Sequence, residues 1–144
     1  MARAKVSKTN RAAAERAGEH YLHKVCGCDP EQIIRAVRTQ WQRVDLWACD
    51  VAGRDKDGFV WYAQVTTGQN EAVRTRRRKI EAINWNSYDN VMVLQLVEQP
   101  NPANARRKDF YFRVHNYNGR SSWYVDLEAC PVPRSWFKKL QREG

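Results

Sequence analysis

Residues Arg43 to Gly68, RVDLWACDVAGRDKDGFVWYAQVTTG, decide how this chain folds. Two apolar runs flank a polar segment bracketed by Gly53 and Gly58, which is the pattern of a β-hairpin. Side chains alternate across a strand, so Phe59, Trp61, Ala63 and Val65 share one face. Val60, Tyr62, Gln64 and Thr66 share the other, leaving two neighbouring polar side chains on an otherwise apolar strand. Asp45 sits in the first run, inside Val44-Asp45-Leu46-Trp47. An acid in such company is half buried, and a buried charge is costly unless something binds it. A metal ion is one such binder. Asp50, nearer the turn, is the alternative strand acid; the Val-Asp-Leu context favours Asp45.

Working outward, residues 1–8 form a flexible basic arm whose Lys5 and Lys8, with Arg11 just beyond, can lie on phosphates. Thr9 or Asn10 can cap a helix running to about Val25, with Ala13, Ala14, Ala17, Tyr21, Leu22 and Val25 near one face. Glu15 and Glu19 stand one turn apart on it, within reach of Arg11, Arg16 or Lys24. His20, His23, Cys26 and Cys28 cluster, but Cys-x-Cys is not zinc-finger spacing; buried thiols and capping histidines explain them better. The segment QIIRAVR, Gln32 to Arg38, fits a short helix or a strand.

Beyond Gly68, Asn70 opens a second helix through Trp85. Arg74, Arg76, Arg77, Arg78 and Lys79 crowd two of its turns with little acid to offset them. Like charges this close repel, and an anionic ligand relieves them, so this helix is the phosphate-binding candidate. A strand follows over VMVLQLVEQ, then a basic loop, PNPANARRK, from Pro100 to Lys108. DFYFRVHN, Asp109 to Asn116, alternates strictly and pairs with that strand. Asn118-Gly119 turns into a further strand, and Pro133 opens a C-terminal helix over 133–144 that docks Trp136, Phe137 and Leu140.

The 144 residues suffice for one domain, and 42% hydrophobic content supports a core. A net charge of +9 favours a polyanionic partner, nucleic acid before membrane. No run reaches membrane-span length and no signal-peptide core opens the chain. The expectation is a prokaryotic, viral or phage-host cytoplasmic protein whose four cysteines are reduced thiols.

An acid on one strand, a hairpin, then Gln-x-Thr on the next, between two helices, resembles the PD-(D/E)XK nuclease superfamily, and most of all archaeal-type Holliday junction resolvases. The likeness runs by order of elements from Lys8 to Asn116, on short motifs: Glu15 in NRAAAERAGEHYL, Asp45 in RVDL, and Gln64 in AQVTTG. It implies a single α/β domain with a central mixed β-sheet flanked by helices, restriction-endonuclease-like. It also implies Mg²⁺- or Mn²⁺-dependent cleavage of DNA, four-way junctions included, by a homodimer. Asp45, Glu15 and Gln64 would hold the metal. Thr66 stands where the family has lysine, and it carries no charge; Lys79, or Arg74 after it, would supply the cation from the next helix. A nuclease-fold protein that binds nucleic acid without cutting it is the alternative. A basic RNA-binding domain fits the charge but accounts for neither Asp45 nor Gln64. Trp123, Tyr124 and Trp136 are the expected dimer contacts, since aromatic side chains are favoured at interface centres.

Overall fold

The computed structural model describes residues 8–38, 43–44, 46–47, 49–120 and 122–142. Helix α1 (Lys8–Lys24) leads through a 3-10 turn (Pro30–Gln32) into β1 (Ile34–Arg35). Strands β2 (Val37–Arg38) and β3 (Arg43–Val44) pair as a separate two-stranded ribbon. Then come β4 (Val51–Arg54), β5 (Val60–Thr66), α2 (Asn70–Glu81), β6 (Asp89–Asn101), β7 (Asn104–Tyr117), β8 (Trp123–Val125) and β9 (Cys130–Pro131). The main sheet has seven strands in the order β1-β4-β5-β6-β7-β8, with β9 also on β7. Only β5 and β6 run parallel, joined by α2; every other pair is antiparallel. This is an α/β fold with a mixed sheet, and the ambiguous QIIRAVR segment resolves as strands.

The strand alternation read from the sequence holds and divides the core in two. Ala63 and Val65 face α1, joining Ala14, Ala17, Leu22, Val51, Leu94, Phe112 and Val114 in one buried cluster. Ala52, Val91 and Val93 face the other way and pack under Ile80 of α2, with Tyr62 and Trp85 at the margin. Gly18 lets α1 sit close: a Cβ there would stand 2.9 Å from Val65 Cγ2. The three layers are therefore helix, sheet, helix.

Asp55 organises the β4–β5 turn. Its Oδ1 accepts the N–H groups of Asp57 and Phe59, and its Oδ2 accepts the Trp61 indole N–H. The indole bond leads the contacts that hold its carboxyl below the usual range. Gly58 takes φ 90°, a conformation glycine adopts without strain.

Three expectations change. The strand preceding the turn does not run back through residue 44. Trp47 takes φ 53° and the Cys49 N–H donates to Leu46 O, so the chain turns there and β4 begins at Val51. The C-terminal helix reduces to a 3-10 turn, Arg134–Phe137. Side chains of α1 take the carbonyls a helix would have used: Arg16 donates to Phe137 O, and His20 bonds Lys138 O at 3.0 Å. Trp136, Phe137 and Leu140 still dock on the body, and His20 stacks on Trp136. The loop expected over Pro100 to Lys108 is instead the tip of a long β6–β7 ribbon, with Pro100 opposite Lys108 and a register shift at Pro100/Asn101. Proline is tolerated because the outer edge of β6 has no partner strand there.

Candidate functional site

Strand β5 ends at Thr66, and β4 begins beside it, just after Asp50. The Asp50 N–H donates to Ala63 O at 2.9 Å, and its Oδ2 accepts the Val65 N–H at 2.7 Å. Its carboxylate is thus laced into the backbone on either side of Gln64. Asp50 and Gln64 are both buried. Asp50 carries the buried acid at this sheet end; Asp45 lies outside the described residues.

Glu15 comes to the same end from α1. Burial raises its pKa first, the nearby Asp50 carboxylate raises it further, and Arg35 and Arg11 pull it back. A carboxyl held above its usual range by burial and a second carboxyl is a position a cation would stabilise. Glu19, one turn on, is buried instead in a 3.0 Å ion pair with Arg142, whose guanidinium also reaches Ile33 O.

The positive charge facing these acids is Arg76, not the expected Lys79 or Arg74. Arg76 Nε donates to Val65 O at 3.3 Å, and its charge is felt by both Asp50 and Glu15. Burial leads in pulling its pKa down. Arg74 turns outward to Glu71 at 2.8 Å. Arg78 and Lys79 are exposed, with no ion pair among the described residues. A turn of helix accounts for this: only the side of α2 carrying Val73, Arg76, Arg77 and Ile80 faces the sheet.

Thr66 is buried, and its Oγ1 accepts the Gly68 N–H at 3.0 Å, so the hydroxyl closes the turn into α2. Arg77 leaves the phosphate-binding set for an internal role. Its Nη2 donates to His115 Nδ1 at 2.6 Å, and its guanidinium lies 5.0 Å from the Trp123 ring centroid. Trp123 in turn donates to Glu81. Of the basic arm, Lys5 falls outside the described residues and Lys8 opens α1, while Arg11 is exposed yet close enough for Glu15 and Arg76 to feel its charge.

The sequence reading missed the His115–Gln95 pair. Arginine only donates, so His115 Nδ1 is the acceptor and its Nε2–H donates to Gln95 Oε1 at 3.0 Å. Gln95 Nε2 then donates to Gly68 O, tying the β5–α2 turn to β6 and β7. The one sequence signal was a glutamine inside the apolar run VMVLQLV. Burial first, then Arg77 and Arg113, push the His115 pKa from 6.5 down to about 4. The imidazole is therefore neutral in the fold. The stability this supplies is fully present above pH 6.5 and is lost as pH falls toward 4. Urea midpoints measured from pH 7.5 to 4.5 should drop less steeply for His115→Gln than for the native chain; equal slopes would refute the network.

As a cation site, the carboxylates of Glu15 and Asp50 and the amide oxygen of Gln64 are hard oxygen donors of the kind that suit Mg²⁺ or Mn²⁺. No group of three His, Cys, Asp or Glu side chains converges among the described residues, so neutral oxygens would have to complete the set. His20 and His23 are bonded to backbone carbonyls, and the cysteines are free thiols whose pKa values burial pushes up. No helix among the described residues is long and apolar enough to cross a membrane.

Compared with family models, curated proteins and solved structures, the chain matches none.

Proposed function

We propose that the chain is a metal-dependent DNA endonuclease with a restriction-endonuclease-like core of the PD-(D/E)XK type. The observation that carries the reading is the buried Asp50 carboxylate, bound into β5 around Gln64 and near enough to Glu15 to raise its pKa. The order helix, three antiparallel strands, helix, parallel strand supports it. In this reading Asp50, Glu15 and Gln64 hold Mg²⁺ or Mn²⁺. Such an ion polarises a scissile phosphate and lowers the pKa of bound water. Arg76 stands in for the strand lysine as a charge: its guanidinium offsets negative charge at the phosphate and cannot serve as a base. Arg11, Arg78 and Lys79 remain exposed to meet the DNA backbone.

A second reading has a specific observation behind it. Thr66 is spent on the turn, leaving no lysine on the strand, as in a nuclease-fold protein that binds nucleic acid without cutting. A Mg²⁺-dependent assay on linear, nicked and four-way DNA decides between them. Cleavage that chelation abolishes is the expected result; tight binding with no cut on any of the three selects the second reading.

A four-way junction presents two symmetric strands, which a two-fold homodimer matches. Trp123 and Trp136 are engaged within the chain, so Tyr124, Val125 and Leu127 are the exposed apolar side chains left for that contact.

A further inference from the structure

The longest elements of the sheet do not stop where the carboxylate site lies. Thr66, the last residue of β5, pairs with Gln95 in the parallel register, yet β6 runs on to Asn101 and β7 returns from Asn104. Six residues beyond Gln95 project the ribbon about 20 Å past the sheet end that holds Asp50, at roughly 3.3 Å per residue. Beyond Phe110, no strand pairs with either outer edge of the ribbon among the described residues. A free two-stranded ribbon is marginal by itself, and its open edges invite mispairing. Its turn is nevertheless well built: Asn101 Oδ1 accepts the N–H groups of Ala103 and Asn104, and Asn101 Nδ2 donates to Asp109.

The charge on this ribbon is one-sided. Lys108 is neutralised by Glu98 at 2.7 Å. Arg106 and Arg107 are exposed and have no ion pair among the described residues. At the ribbon's base a groove of about 650 Å³ takes Arg107, Arg113 and Arg134 into its lining beside Tyr111. The acids there, Asp109 and Asp126, are each bonded by an asparagine. A protruding two-stranded ribbon fits the roughly 12 Å wide major groove of B-form DNA, whereas the major groove of an A-form RNA duplex is too narrow.

We propose that the β6–β7 ribbon is a duplex-gripping arm. It lies in the major groove of B-form DNA, with Arg106 and Arg107 on the phosphates about six base pairs out from the Asp50 site, at roughly 3.4 Å per base pair. The distance from the site rests on the function proposed above; the grip itself does not.

Binding is therefore measured without divalent ion, in chelator, by anisotropy of a labelled duplex of about 24 base pairs, a length comfortably longer than the reach given by strand rise. The chain carrying Arg106→Gln and Arg107→Gln should flatten the slope of log affinity against log salt by about 2, because two phosphates are no longer neutralised by the protein. The Arg106→Lys, Arg107→Lys chain should keep the native slope, and a duplex of about five base pairs, shorter than that reach, should not distinguish native chain from variant. An unchanged slope on the long duplex overturns the proposal. So does a variant that binds DNA normally but self-associates, because the arginines would then only guard the ribbon edges. Equal losses on double-stranded RNA would overturn the assignment to DNA. Failure to cut DNA in the separate Mg²⁺ assay would sink the nuclease reading and leave this result standing.

Discussion

Asp50→Asn should abolish Mg²⁺-dependent DNA cleavage, by on the order of a thousandfold or more, since several kcal/mol of charge stabilisation at the phosphate go with the metal. The fold should survive. Asparagine keeps an oxygen where Asp50 Oδ2 accepts the Val65 N–H, so the strand junction retains its bond. A second signature is independent of turnover. With the Asp50 charge gone, Glu15 loses one of the two leading causes of its raised pKa, and its titration should move down toward ordinary carboxyl values. Asp45→Asn, made in parallel, separates the two acids: full activity there and none in Asp50→Asn assigns the metal to the β4 acid. An active Asp50→Asn chain whose Glu15 titrates as before would remove Asp50 from the site.

Phe112→Ala should cost about 3–5 kcal/mol, the usual range for truncating a buried aromatic. Against a typical total of about 5–15 kcal/mol this is a large share. Phe112 is fully buried, lies opposite Leu96 in the β6–β7 register, and meets the Tyr21 ring edge-on at 5.9 Å. It therefore joins α1 to the sheet, and the void left behind cannot close because strand β7 is held on both sides by β6 and β9. Chemical denaturation reads the loss directly. A cost below about 1 kcal/mol would mean that α1 does not depend on this contact for its seat. Since Glu15 rides on α1, DNA cleavage should also fall at temperatures where the variant is still folded.

The sequence by itself determined the elements whose signal is local. Period-two alternation marked β5 and β7, and the apolar run marked β6; the Gly53–Gly58 segment gave the hairpin, and the alanine-rich pattern gave α1. Each depends on neighbours within a few residues, where propensity and periodicity act. Glu15 and Gln64 were legible because they interrupt such patterns or sit where a family motif has its acids. What tertiary structure decided was which groups meet across long separations. Asp50 became the described site acid because antiparallel pairing of β4 with β5 sets its carboxylate on the Val65 N–H, fifteen residues away. Arg76 was chosen from five neighbouring cations because only one side of α2 faces the sheet. The C-terminal segment lost its helix to side chains of α1 more than a hundred residues earlier. The basic segment at Pro100–Lys108 reads as a loop in isolation, since proline, asparagine and like charges weaken any local strand signal. Pairing with the rest of β6 and β7 extends it, and hydrogen bonds across the ribbon outweigh that local preference.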